Sequence, residues 1–254
     1  MPPLYKGETQ IVKRYKGDTE IAKVYKGDQL YYSSGPSADD FDLASGNSNP
    51  TGITWDGTYF RVSDRNDDKV YTYNGNGEYV AAQDFNYRAD TQAGDGITWD
   101  GTYYYVVEQT RDRVRTYDAD GNYVAEYSLI DKVRTGLAWD GTNLVVLNDT
   151  DDTLDFYTTA LVAVAGSISL AAGNTACIGV TWDGTYYRVV DHTDAKVYTY
   201  DASGTYVAAQ DFNLHADNDN SRGITWDGTY YRVVDSTDAK VYTYDADGNY
   251  VGGA

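Results

Sequence analysis

A chain of 254 residues is long enough for one large or two small domains with a substantial core. Its net charge of -19 argues against nucleic acid or an anionic membrane as partner, because either needs a basic face to displace counterions. One cysteine, Cys177, leaves no internal disulfide and no cysteine metal cluster, and no run of eighteen apolar residues offers a membrane span.

Tyrosine dominates the composition, with 27 Tyr against 5 Phe and 25 Gly against 4 Pro. That balance suits half-buried strands joined by tight turns, and no stretch keeps a helical apolar period. An all-β chain with very little helix is expected.

The first predicted element is a repeat of ten residues. Residues 5–32, "YKGETQIVKRYKGDTEIAKVYKGDQLYY", return to Tyr at Tyr5, Tyr15 and Tyr25, with Lys-Gly followed by an acid at each turn and short alternating strands between. Residues 1–36 carry six Lys/Arg against four Asp/Glu, so this segment differs chemically from the acidic remainder. Three such strands bury little, so the segment is expected to dock to another protein or to copies of itself, through Tyr5, Tyr15, Tyr25 and Leu30. The start, "MPPLYKGETQ", has no apolar core of a signal peptide, and no export signal is expected. "SSGPSA", residues 33–38, reads as a linker.

From residue 37 onward one phrase recurs five times: "GITWDGTYFRVSD" from Gly52, "GITWDGTYYYVVE" from Gly96, "GLAWDGTNLVVLN" from Gly136, "GVTWDGTYYRVVD" from Gly179 and "GITWDGTYYRVVD" from Gly223. The tryptophans Trp55, Trp99, Trp139, Trp182 and Trp226 lie 44, 40, 43 and 44 residues apart. In each module an apolar strand meets an Asp-Gly hairpin turn, a second strand follows, a polar turn leads to a third strand such as "KVYTY", and a Gly turn feeds a fourth. Four short antiparallel strands in every forty-odd residues describe a blade, and five of them a five-bladed β-propeller over residues 37–254. Phe85 and Phe212 each stand fourteen residues before a Trp, and so does Phe41, whereas the C-terminal "YVGGA" stops where a fourth strand should continue. The two terminal halves are therefore expected to pair and close the ring.

The modules resemble NHL-type propeller repeats in their Gly-apolar opening, Asp-Gly turn, second strand ending on Asp, and final Gly turn. The likeness implies a fold and no particular activity. The opening segment resembles short Y-x-G-D repeats of bacteriophage and prophage structural proteins, through Tyr15, Gly17, Asp18, Ile21, Val24, Tyr25, Gly27, Asp28 and Leu30. That resemblance implies a virion attachment module, exposed at the virion surface after lysis and docked to other virion proteins through residues 1–36.

Chemistry is sparse in the sequence. His192 and His215 break the repeat without a Cys or Ser motif beside them and read as surface loop residues. "DADGN", at Asp118–Asn122 and Asp245–Asn249, lacks the further ligands of a calcium loop and reads as a hairpin turn. The leading ligand-binding candidates are the residues ending each second strand, Asp64, Glu108, Asn148, Asp191 and Asp235, which a propeller places at one end of the ring. The competing reading is that each caps its own turn. The tryptophans are assigned to blade packing, and the tyrosines of the "TYY" and "VYTY" stretches to weak contacts with a polymer. These signs lead to the expectation of a non-enzymatic virion protein without cofactor that binds a host-surface glycan or protein. A metal-dependent gluconolactonase-like hydrolase and a free multivalent lectin are the alternatives.

Overall fold

The computed structural model describes residues 36–87, 94–129 and 134–253, and the main chain alone of strands within residues 4–32. The chain divides into two units, Met1–Ser37 and Ala38–Ala254. In the first, Leu4–Lys6, Thr9–Lys16, Thr19–Lys26 and Gln29–Tyr32 form one antiparallel sheet in chain order, so four strands stand where the repeat suggested three. Cross-strand pairing puts Tyr5, Gln10, Tyr25 and Leu30 in one row. What the side chains of Tyr5, Tyr15, Tyr25 and Leu30 touch lies outside the described residues.

The second unit is a five-bladed β-propeller of four-stranded antiparallel sheets. Blade 1 runs outward through Pro50–Trp55, Tyr59–Asp64, Lys69–Asn74 and Phe85–Asn86, and blade 2 through Gly94–Trp99, Tyr104–Glu108, Arg113–Tyr117 and Tyr123–Ser128. Blade 3 uses Arg134–Trp139, Leu144–Asn148, Thr153–Tyr157 and Ala163–Ser169; blade 4 uses Cys177–Trp182, Tyr186–Asp191, Lys196–Asp201 and Phe212–Asn213. Blade 5 combines Ser221–Trp226, Tyr231–Asp235 and Lys240–Tyr244 with Phe41–Asp42 from the start of the unit. Phe41 pairs with Val241 and Asp42 with Lys240, which closes the ring. The only helical pieces among the described residues are three short 3-10 turns.

The second and third strands are buried on both faces, because each blade is covered by its neighbours. Val62, Val70, Val189, Val197, Val233 and Val241 are fully inaccessible, each contributing about 1.5–3 kcal/mol by burial. The tyrosines of "VYTY" belong to this core: Tyr73, Tyr200 and Tyr244 are fully buried and Tyr71, Tyr198 and Tyr242 nearly so. They are not the exposed polymer contacts that strand alternation suggested. Each tryptophan is half-buried, and four of them pack on an aromatic cross-strand partner, as Trp55 does on Phe60 at 4.5 Å and Trp226 on Tyr231 at 4.6 Å between ring centres, while Trp139 faces Leu144.

Glycine opens every phrase because the inner strands converge on the axis. A Cβ on Gly223 would stand 2.7 Å from the Cα of Gly52, and one on Gly96 2.8 Å from the backbone nitrogen of Leu137. Around this ring of glycines the channel narrows to about 10 Å³, room for roughly one water. From this constriction the channel widens toward the N-terminal ends of the inner strands, where its mouth lies.

Candidate active site at the channel mouth

Every inner strand enters the ring through a register shift, at Pro50/Gly52, Gly94/Ile97, Arg134/Leu137, Cys177/Gly179 and Ser221/Ile224. Such bulges re-aim a side chain out of the ladder. The residues they carry are Thr51, Asp95, Thr135, Ile178 and Arg222, of four kinds although the phrase after them is nearly constant. The second position that varies follows the last residue of each second strand: Arg65, Gln109, Asp149, His192 and Ser236. Nine of these ten residues, Ser236 excepted, line one cavity of about 360 Å³ at the mouth, together with Thr175, Ala176 and Cys177.

The carboxylates singled out from the sequence stand one layer behind this wall, and none of Asp64, Glu108, Asn148, Asp191 and Asp235 lines the cavity. All five are fully buried. Asp64 accepts from the backbone N–H groups of Asn66 and Asp67 with Oδ1 and from that of Asn49 with Oδ2. Asp191 does the same for Thr193, Asp194, Thr175 and Ala176, and Asp235 for Thr237, Asp238 and Asn220. Asn148 holds Thr150 and Asp151 at 3.2 Å and donates to Asp155. Glu108 reaches further and meets Arg115 at 3.1 Å. The third strand compensates for each variation: Arg115 and Asp155 occupy the place that Tyr71, Tyr198 and Tyr242 hold elsewhere, where those hydroxyls donate to Asp67, Asp194 and Asp238. These contacts brace the loops that present the following residue to the cavity.

The mouth itself is chemically lopsided. On the side of blades 5, 1 and 2, Arg65 pairs with Asp95 through Nη2, and the same nitrogen donates to Gln109 Oε1 at 3.2 Å. Gln109 donates its backbone N–H to the other oxygen of Asp95 at 3.3 Å. Arg222 donates Nε to the Ser236 hydroxyl at 3.3 Å. Burial, and after it the charge of Arg222, draws the Arg65 guanidinium below its ordinary value; burial does the same to Arg222, against the pull of Asp235.

Opposite stand Thr135, Asp149 and His192 on blades 3 and 4. Burial pushes the Asp149 carboxyl above the usual carboxylate range, and the charge of Asp152 adds to the shift. The Cys177 thiol, 4% exposed, is pushed up to about 12, mainly by burial, so it is a poor nucleophile near neutral pH. Three buried polar atoms of residues around the cavity have no hydrogen-bond partner among the described residues: Arg65 Nε on the first side, and Thr135 Oγ1 and Asp149 Oδ1 on this one. Buried polar groups in folded proteins are nearly always satisfied, and one left open at a cavity wall is available to what the cavity binds.

Sequence reading set His192 aside as a loop residue and passed over Arg65, Asp95, Gln109, Asp149 and Arg222. The signal that finds them is present in the chain. Aligned on Trp, the modules differ in polarity at the position before each inner Gly and at the one after each second strand, although the phrase between them is nearly constant.

Neither a family model nor a curated protein matches the sequence. Solved structures do match the fold. Virginiamycin B lyase from Staphylococcus aureus aligns with a TM-score of 0.55 at 13% identity over 84% of this chain and 86% of its own. A catalytically inactive histidine-to-alanine variant of that lyase, bound to quinupristin, aligns at 0.51 and 13% identity over 84% of this chain and 72% of its own. Glutaminyl cyclase from Myxococcus xanthus aligns at 0.65 and 13% identity over 80% of this chain and 92% of its own. The expectation of a non-enzymatic protein is corrected by these neighbours, which are enzymes built on the same scaffold. At such identities the likeness establishes the β-propeller fold that this chain shares with them.

Proposed function

We propose that the propeller is an enzyme whose active site is the channel mouth, with Asp149 and His192 exchanging protons with a small polar substrate. The observation that carries this reading is the concentration of variation. Blades that repeat one phrase almost unchanged diverge at two positions, nine of whose ten residues face a single cavity, which suits one asymmetric site better than five equal ones. Imidazole and carboxyl groups are the commonest agents of general acid–base catalysis, and a carboxyl raised by burial is suited to hold and release a proton. The enzymatic neighbours, one of them inactivated by loss of a single histidine, support the reading.

Quinupristin and a peptide with N-terminal glutamine are the first substrates to offer, each followed by mass spectrometry. His192→Ala and Asp149→Asn should each lower the rate of conversion by about 10²–10⁴ with little change in melting temperature. Conversion that survives both substitutions overturns the proposal.

For residues 1–36 we propose docking to copies of the chain or to another protein, virion proteins being the first to test given the resemblance of the repeat. The support is the sheet order, which leaves Leu4–Lys6 and Gln29–Tyr32 as edge strands among the described residues. Light scattering of the full chain should give a multimer, or binding to a particle should depend on residues 1–36. A monomer that binds no particle would remove that role.

A further inference from the structure

Resting on the catalytic reading of the mouth, we infer that Arg222 and Arg65 form a receptor for an oxyanion of the substrate, a carboxylate or a phosphate, opposite Asp149 and His192. The two guanidiniums come from blades 5 and 1, which are neighbours across the closing seam, and both line the same cavity. Arg65 spends Nη2 on Asp95 and Gln109 and keeps its buried Nε unpartnered among the described residues. Among the described residues the Arg222 side chain has one hydrogen bond, from Nε to Ser236, which leaves both terminal nitrogens for a ligand.

Of the charged groups that line this side of the cavity two are guanidiniums and one, Asp95, is a carboxylate, while Asp235 acts on Arg222 from behind the wall. The rest of the molecule runs the other way, at a net charge of -19. Two half-buried cations held side by side on so acidic a chain repel each other, and an oxyanion between them relieves that repulsion. Planar guanidiniums match carboxylate and phosphate oxygens through paired N–H donors. The arrangement also fixes direction: a substrate held by its anionic end on blades 5 and 1 presents its other end to Asp149 and His192 across the cavity.

Calorimetric titration of the full chain tests this without turnover. The probes are N-acetylglycine, inorganic phosphate, and N-acetylglycine amide as the uncharged control. N-acetylglycine or phosphate should bind at one site per chain, at least about tenfold tighter than the amide. Arg222→Met should weaken that binding at least about tenfold, with Arg222→Lys between the two. Arg113→Met, which removes an equal charge from the paired strands of blade 2 beside Glu126, should leave it unchanged. Tighter binding of N-acetylglycine marks a carboxylate substrate, and tighter binding of phosphate a phosphorylated one. Absence of binding by either anion, or binding equal in wild type and Arg222→Met, overturns the inference. Loss of turnover in His192→Ala without anion binding would retire only the receptor, whereas anion binding with turnover unaffected by His192 and Asp149 would retire only the catalytic roles.

Discussion

The aspartates after Trp55, Trp139 and Trp182 show how one side chain joins a turn to the next blade. Asp183 Oδ1 accepts from the N–H groups of Thr185 and Tyr186, while Oδ2 takes Arg188 Nε at 2.9 Å and the hydroxyl of Tyr231 in blade 5 at 2.5 Å. Burial alone would raise this carboxyl, but the bonds from Tyr231, Arg188 and the turn N–H groups outweigh it and hold the pKa below its ordinary value. A depressed folded-state pKa stabilises the protein fully above the unfolded value, about 3.9, and the gain is lost as pH falls through the folded one. Asp183→Asn should therefore lower the unfolding free energy at pH 7 by about 1–3 kcal/mol and flatten the acid limb of stability below about pH 4. Denaturant titrations across pH check both, and an unchanged acid limb would mean that this carboxylate does not carry the linkage. The Asp-Gly signal revealed the turn, but not the partner, since Tyr231 lies 48 residues away and only the propeller brings it back.

At the scale of strands, the glycines and the phenylalanines explain each other. The turn glycines Gly77, Gly121 and Gly248 lie against Phe41, Phe85 and Phe212, the outer-strand rings of the preceding blade, so close that a Cβ would overlap them. That packing is why Phe keeps its fourteen-residue offset from Trp in three blades. In blade 3 the same place is held by Ile168, against Gly204 of blade 4, and the outer strand there is seven residues long instead of two. On the inner strand, Gly223→Ala should cost about 1–3 kcal/mol, because backbone lies on the far side of the added methyl. A thermal melt indistinguishable from wild type would show that the inner ring is looser than these approaches imply. Hairpins and blade number were legible because turn chemistry and strand period are local. The burial of Tyr71, Tyr198 and Tyr242 was not, because alternation cannot tell one covered face from two when the second cover is another blade.

Over the whole molecule, closure and site belong to one design. Blade 5 faces Phe60 where Tyr104 and Tyr231 elsewhere offer a hydroxyl to the preceding blade, so Asp227 has no such latch across this seam. Within blade 5 the N-terminal strand is held by main-chain pairing and by Asp40, which accepts from Thr243 N–H at 2.8 Å and from the Tyr250 hydroxyl at 2.6 Å, as Asp84 and Asp211 do for their own blades. The ring so closed supplies five bulges aimed at one axis, and repetition lets the residues on them vary without cost to the blades. The sequence showed the scaffold through what is repeated; the mouth lies in what is not, and only the fold tells which of the unrepeated positions converge. The decisive experiment gives the mouth a residue that blade 5 already carries, as Asp149→Ser with His192→Ser, and measures turnover and melting together. A melting temperature close to wild type, with conversion of the accepted substrate abolished, is the expected result. Conversion at the wild-type rate in that double variant would contradict it.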